Sequence, residues 1–130
     1  ILAFDIDSRS RNSTAVNLMS AALEHEVKVD KIAFEKLLPP HPTGTLMMNP
    51  PYDERLQLED TNAFYQSIGD RLKKEWPGWS AWIISSNRDA LKHIRPKSSR
   101  KKTLFNGALE CSFQQFELYE GSMEEKETTP

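Results

Sequence analysis

The chain has 130 residues, of which 38% are hydrophobic and 28% charged, and its formal net charge is −2. This length suits one domain with one core, and the balance is typical of a soluble globular protein. So small a net charge excludes a general attraction to nucleic acid, and any such binding must come from a local basic patch. The single cysteine, Cys111, excludes an internal disulfide and is compatible with a reducing cytosol. Since no apolar run approaches the roughly 18 residues of a membrane span and no signal-peptide pattern is present, we expect a cytoplasmic protein.

The first part of the chain alternates between strand and helix patterns. Ile1 to Phe4 is a continuous apolar run, which predicts a strand buried on both faces, as in parallel α/β sheets. Asp7 or Ser8 can cap the next element, and apolar residues at helical spacing predict a helix from about Ser13 to His25. A weaker strand pattern covers Lys31 to Glu35.

A proline-rich loop, Leu38 to Pro42, leads to a second apolar run, Thr45 to Met48, which predicts another buried strand. This strand must end at Asn49-Pro50-Pro51-Tyr52, because two consecutive prolines cannot donate hydrogen bonds to a sheet. The chain therefore leaves the strand through a stiff corner that carries an amide and an aromatic ring.

The second half continues the alternation. A helix is predicted over Asp60 to Lys74, a buried strand over Ser80 to Ser85 and a short helix over Asp89 to His93. Lys92 to Lys102 is rich in Lys and Arg and reads as an exposed basic loop. Asn106-Gly107 then predicts a hairpin turn between two strands, because both residues tolerate positive φ.

Strands that alternate with helices predict an α/β fold with a mostly parallel sheet, to which the C-terminal hairpin adds antiparallel strands at one edge. We assign residues 1–120 to one domain. The acidic, polar composition of residues 121–130 predicts a frayed tail.

The corner has the chemistry to hold an exocyclic amino group of a nucleobase. The Asn49 side-chain oxygen can accept one N–H of the amine, and the Pro50 carbonyl can accept the other. The Tyr52 ring can stack on the base and orient it. The alternative is an ordinary strand-ending turn, in which Asn and Pro are common.

Two other groups of polar residues are candidates for binding. Asp5 follows a predicted buried strand, where a carboxylate can accept hydrogen bonds from a ribose diol, or else it caps the helix. The basic loop could contact RNA phosphates through Lys97, Arg100, Lys101 and Lys102, or could be a solvated loop. Arg55 could bind phosphate or form a salt bridge with a neighbouring carboxylate.

Three motifs together resemble a known family. They are Met48-Asn-Pro-Pro-Tyr-Asp-Glu-Arg-Leu56, the opening Phe4-Asp-Ile-Asp7 and the hairpin Phe105-Asn-Gly-Ala-Leu-Glu-Cys111. They resemble the catalytic domain of THUMP-linked RNA methyltransferases, in particular the bacterial 23S rRNA guanine-N2 methyltransferases, and the resemblance covers most of residues 1–119.

The resemblance implies a Rossmann-like class I methyltransferase sheet that uses S-adenosyl-L-methionine. It implies that Asp5 contacts the cofactor ribose, with Glu35 the nearest candidate at the adenine and Asn49 beside the cofactor. It places Asn49, Pro50 and Tyr52 at the target base. It also implies ribosomal RNA as the partner and an upstream THUMP domain. Separately, the histidines His25, His41 and His93 are scattered without metal-ligand spacing, so we expect no metal site.

The family's first strand and glycine-rich cofactor loop have no counterpart in these residues. We therefore expect a chain that is inactive alone, with rearranged strand order, pairing with a second copy, or disorder of Ile1 to Asp7. Two alternatives stay open: methylation of adenine N6 in DNA or RNA, and a non-catalytic RNA-binding fragment.

Overall fold

The structure is a computed structural model that describes residues 1–50 and 58–120. The chain divides into two compact units, Ile1–Leu38 and Pro39–Pro130. Within the described ranges, no helix is both long and apolar enough to span a bilayer.

The first unit contains a two-stranded parallel sheet with one helix. Strand β1 spans Leu2–Asp5, helix α1 spans Ser8–Ser20 and strand β2 spans Lys28–Lys31, after which a 3₁₀ turn covers Phe34–Lys36. In the parallel register Leu2 lies opposite Lys28, and Asp5 lies opposite Lys31. The carboxyl ends of both strands therefore meet at one end of this sheet.

Helix α1 begins earlier than its apolar spacing predicts, because a cap decides where it starts. The Asp7 carboxylate accepts hydrogen bonds from the Ser10 N–H and the Ser10 hydroxyl, both at 2.9 Å. These bonds satisfy donors that a first helical turn leaves without partners. The helix ends before Ala22, which has a φ of 57°. The predicted bounds of 13 and 25 were wrong, and Asp7 is confirmed as the cap.

The two strands of the first unit also differ from prediction. The strand predicted over Lys31 to Glu35 lies earlier, at Lys28–Lys31, because pairing with β1 and not its own apolar pattern defines it. Strand β1 is not buried on both faces: Leu2 is 42% exposed and Phe4 is 38% exposed. Among the described residues β1 pairs with β2 alone, so its side chains meet few neighbours.

The second unit is built on a four-stranded mixed sheet. Its elements in chain order are β3 (Gly44–Met48), α2 (Leu58–Glu75), β4 (Trp79–Ser85), α3 (Arg88–Leu91), β5 (Arg100–Asn106) and β6 (Leu109–Glu117). The strand order is β3-β4-β6-β5. Strands β3 and β4 are parallel, whereas β6 runs antiparallel to both β4 and β5. The predicted α/β fold with a terminal antiparallel hairpin is confirmed.

The core of this unit lies between α2 and one face of the sheet. Every second residue of β4 is buried, from Trp79 to Ser85. Tyr65 and Leu72 of α2 are fully buried as well. The Tyr65 hydroxyl and the Ser85 hydroxyl share a hydrogen bond of 2.7 Å, which ties the helix to the carboxyl end of β4.

Strand β3 is more exposed than the predicted buried strand. Met47 is 69% exposed. Strand β3 lies at the end of the described strand order, and β4 is its one neighbour there. Among the described residues, the backbone edge of β3 opposite β4 therefore has no pairing strand.

The hairpin forms as predicted, but with a different turn and a longer first strand. Asn106 is the last residue of β5 and pairs with Leu109, so the two-residue loop is Gly107-Ala108. Gly107 has a φ of 63°, as the first loop position of a type II′ turn requires. The basic segment is a loop only up to Ser99, because Arg100 to Lys102 form the start of β5.

The N-terminal segment forms part of the sheet of the first unit. Ile1 to Asp7 is not disordered, because Leu2–Asp5 is a strand paired with β2; pairing with a second copy stays a prediction. Cys111 is buried, 5% exposed.

Candidate functional site

The stiff corner begins directly at the carboxyl end of β3. Met48 lies opposite Ile83 of the parallel strand β4, and Asn49 and Pro50 follow. Asn49 is exposed and Pro50 is buried. Within the described part of the chain, no group forms a hydrogen bond with the Asn49 side chain or donates a backbone N–H to the Pro50 carbonyl. The predicted positions Tyr52 and Arg55 lie outside the described residues.

The end of β4 contributes a second polar turn to the same edge, which the sequence analysis did not single out. The Asn87 N–H donates to the Ser85 hydroxyl at 3.0 Å, and the Asn87 side-chain oxygen accepts from the Ala90 N–H at 2.9 Å. Because β3 and β4 are parallel, this turn and Asn49 lie at the same edge of the sheet, where open α/β sheets bind ligands. The signal in the sequence was Ser85-Ser86-Asn87 directly after a strand and before a helix.

In the first unit, Asp5 lies at the carboxyl end of β1 and is half-buried. One of its carboxylate oxygens, Oδ1, accepts the Asp7 N–H at 2.8 Å, while its backbone carbonyl accepts the Ile32 N–H at 3.0 Å. No other described residue bonds to this carboxylate. One oxygen therefore orients the group and the other is available to a ligand.

Glu35 lies at the same end of the two-stranded sheet. It is exposed on the 3₁₀ turn that follows β2. Asp5 is the last residue of β1, and Glu35 follows the end of the paired parallel strand β2. Open α/β sheets bind ligands beyond the carboxyl ends of their strands.

Asp7 has a structural role. Hydrogen bonds from the Ser10 N–H and the Ser10 hydroxyl favour the ionised carboxylate and hold its pKa below the ordinary value. Lys31 lowers the pKa further by charge attraction. Asp7 therefore caps α1, whereas the Asp5 carboxylate accepts only the Asp7 N–H among the described residues.

The predicted basic residues are divided between a loop and a strand. Lys97 lies in the loop before β5, and Arg100, Lys101 and Lys102 lie in β5. Alternate residues of a strand point to opposite faces, so Lys101 faces away from Arg100 and Lys102. None of these four forms an ion pair with another residue of the described ranges.

Across residues 1–50 and 58–120, no three His, Cys, Asp or Glu side chains are grouped closely enough to hold a metal ion. The polar groups available at the strand ends are instead carboxylates and an amide. These groups are suited to hydrogen bonding of hydroxyl and amino groups.

Comparison with protein families identifies one match. Residues 1–115 match the family model described as "RMKL-like, methyltransferase domain" (UPF0020). A protein of Shewanella baltica named ribosomal RNA large subunit methyltransferase K/L is 32% identical over 119 residues. That alignment includes 91% of this chain but only 17% of the relative.

Solved structures share the fold. The structure of SMU.472, complexed with SAH, superposes with a TM-score of 0.82 at 27% identity. A protein of Clostridium difficile 630 described as a possible methylase gives a TM-score of 0.81 at 26% identity. Each match covers 94% of this chain and 32% of the solved chain. Because the chain spans a minor part of its relatives, the THUMP domain expected upstream stays a prediction.

Proposed function

Because the chain belongs to the RMKL-like methyltransferase domain family (UPF0020), we propose that it supplies the acceptor site of an S-adenosyl-L-methionine-dependent rRNA methyltransferase. The proposed product is a guanosine of 23S rRNA methylated at its N2 amine. The observation that carries the proposal is the exposed Asn49 amide, free of partners among the described residues, at the carboxyl end of a parallel strand pair.

The chemistry of the target explains why these groups are needed. The lone pair of an exocyclic amine is delocalised into the base, so the nitrogen is a poor nucleophile. An Asn49 oxygen that accepts one N–H and a Pro50 carbonyl that accepts the other would hold the nitrogen as it becomes tetrahedral. The nitrogen can lose its proton after methyl transfer, so this arrangement needs no strong base.

The buried position of Pro50 supports this role. A proline has no N–H and a fixed φ, so its peptide is restricted before the substrate arrives. Pro50 is packed into the second unit while Asn49 is exposed beside it. A rigid carbonyl next to an accessible amide loses little conformational entropy when it binds an amine. We further propose that Tyr52 stacks on the base and that Arg55 contacts a phosphate.

The residues of the first unit fit the cofactor expected of this family. The second oxygen of the Asp5 carboxylate can accept a ribose hydroxyl, since Oδ1 is already bonded to the Asp7 N–H. Glu35, exposed at the same sheet end, can accept a hydrogen bond from the adenine amine or a hydroxyl. S-adenosyl-L-methionine, when bound, supplies the electrophilic methyl group. In this proposal Asp5 and Glu35 bind and orient, and the acceptor groups belong to Asn49 and Pro50.

The choice of RNA as substrate rests on the relative's name and on the local basic segment. The matched Shewanella protein is named for the large-subunit ribosomal RNA. Phosphate contacts from Lys97, Arg100, Lys101 and Lys102 would position RNA without reading its sequence.

The test uses the intact native protein, which is the full product of the gene that encodes this chain. It is incubated with unmodified 23S rRNA and labelled S-adenosyl-L-methionine, and the product is digested and mapped by mass spectrometry. We expect N2-methylguanosine at one position. N6-methyladenosine would support the adenine alternative, and no label in RNA or DNA would support a non-catalytic module.

A further inference from the structure

A groove of about 270 Å³ lies between the segment after α3 and strands β5 and β6. It has a floor contributed by β6 and a rim contributed by the basic segment. The rim cations are Lys92, Arg95, Lys97 and Lys101.

The sheet register explains which strand residues reach this groove. Lys101 lies opposite Gln114 in the β5–β6 pairing, so the two side chains share one face of the hairpin. Gln114 and Phe116 are the floor residues, only 8% and 1% exposed. Arg100 and Lys102 point to the opposite face, because side chains alternate along a strand.

The charge of the groove is almost uncompensated. Among the described residues, no carboxylate lines it. Lys92 approaches Asp89 at 3.7 Å, but both side chains are highly exposed, so this pair is weak. Arg95, Lys97 and Lys101 have no ion-pair partner within the described ranges. Uncompensated cations at a concave surface attract an anion.

The rim is anchored on both sides. Gly69 of α2 lies so close to the rim that an added Cβ would be 3.0 Å from the Arg95 backbone nitrogen. At the other end, the Ser99 N–H donates to the Gln115 carbonyl at 2.8 Å. The segment between these anchors is therefore held against the sheet, which reduces the ordering cost of binding.

We propose that this groove binds the sugar–phosphate backbone of the RNA substrate, with Arg95, Lys97 and Lys101 contacting phosphates. The inference rests on the proposed function, because the cations alone would also suit another polyanion. It sharpens the sequence analysis, which treated the basic residues as one loop. The face of the hairpin that lines the groove contacts the RNA phosphates, and the face that holds Arg100 and Lys102 contributes less to RNA binding.

The magnitude follows from counterion release. Each phosphate contact contributes about 0.7 to 0.9 to the slope of log K against log salt. Removing Lys97 and Lys101 should therefore reduce the slope by roughly 1.5. If the variant and the wild type bind equally at 1 M salt, this change in slope makes the variant bind roughly 30-fold more weakly at about 0.1 M salt.

The experiment measures binding of the intact native protein to a fluorescein-labelled 23S rRNA fragment by anisotropy, at several salt concentrations. The groove variant is Lys97→Gln with Lys101→Gln. The matched control is Lys28→Gln with Lys74→Gln, which removes the same charge from exposed positions outside the groove. A third variant, Arg100→Gln with Lys102→Gln, tests the opposite face. Circular dichroism checks that all variants remain folded.

We expect the groove variant to bind roughly 30-fold more weakly with a shallower salt slope, and the control to change by less than about threefold. Equal losses for the groove variant and the Arg100/Lys102 variant would overturn the assignment of a face. Groove-variant affinity equal to wild type would overturn the groove as an RNA site, as would tighter binding of an acidic peptide than of RNA.

The same samples separate this inference from the proposed function. Suppose that the wild-type protein methylates the rRNA and that the groove variant binds it as tightly as the wild type does. This result would refute the groove as an RNA site and would still support the proposed function. Suppose instead that the groove variant loses RNA binding but the wild-type protein methylates no RNA. This result would support the groove as an RNA site and would refute the proposed function.

Discussion

Gly44, the first residue of β3, is required because the Trp79 ring occupies the space where a side chain would be. A Cβ added at Gly44 would lie 2.6 Å from Cη2 and from Cζ3 of Trp79, and 3.0 Å from Cε3. The two residues are directly opposite in the β3–β4 register. This contact lies at the start of the strand that precedes Asn49, so we predict that Gly44→Ala destabilises the second unit.

The Trp79 ring cannot move aside without loss. It is 7% exposed, its Nε1–H donates to the His41 carbonyl at 2.8 Å, and it packs edge-on against Trp76 at a centroid distance of 5.0 Å. Overpacking costs about 1–3 kcal/mol, and a lost hydrogen bond of this kind about 1–3 kcal/mol. Ala gains about 0.5–1 kcal/mol over Gly in a strand. The central values of these terms give a net loss of about 3 kcal/mol.

The assay is urea unfolding of the 130-residue chain, followed by tryptophan fluorescence. A loss of about 3 kcal/mol lowers the urea midpoint by roughly 1–3 M, for an m value of about 1–3 kcal/mol/M. A double-mutant cycle with Trp79→Phe tests the cause, because a smaller ring leaves room for the methyl group. The reasoning fails if Gly44→Ala unfolds within about 0.5 kcal/mol of wild type, or costs the same in the Trp79→Phe background.

Two further changes test other parts of the structure. Tyr65→Phe removes the buried bond to Ser85 and should cost about 1–2 kcal/mol in urea unfolding; an unchanged midpoint would show that the bond contributes nothing. Asp7 has a folded pKa below its unfolded value, so its stabilisation is present above about pH 4 and is lost as pH falls through the folded pKa. Asp7→Asn should therefore give a shallower fall in stability between about pH 5 and pH 2 than wild type, and parallel curves would contradict the cap's ionic role.

Elements with strong periodic patterns could be predicted from the sequence. Helix α2 and strand β4 have a clear apolar face, and the hairpin has a glycine where positive φ is required. These signals are local, so they identify the elements without knowledge of the tertiary contacts. The same holds for Asn49, because the prolines after it end a strand in any context.

Elements defined by their partners could not be predicted. Strand β2 is largely polar and exists because it pairs with β1. Arg100 to Lys102 look like a charged loop, yet they pair with residues 113–115 of β6 as an edge strand, where charged side chains are tolerated and discourage aggregation. Which of these cations share a face was invisible until that register was known.

The position of Asn49 directly after a strand could be predicted from the sequence, but its surroundings could not. The Ser85-Ser86-Asn87 turn shares the sheet edge with Asn49 only because β4 runs parallel to β3. The Ser85 hydroxyl bonds to Tyr65, which lies 20 residues earlier in the chain, whereas the bond from the Ala90 N–H to Asn87 is a local helix cap. No local pattern contains the parallel register or the contact with Tyr65.

The most direct test of the account is the rate of methyl transfer by Asn49→Ala in the intact native protein, at saturating rRNA and cofactor. Asn17→Ala, an exposed amide on α1, is the matched control, and Asn49→Asp retains an acceptor oxygen. We predict that Asn49→Ala lowers kcat by roughly 10²-fold or more, that Asn49→Asp loses less, and that the control is unchanged. An Asn49→Ala enzyme that methylates rRNA at the wild-type rate would contradict the central claim that this amide holds the target amine.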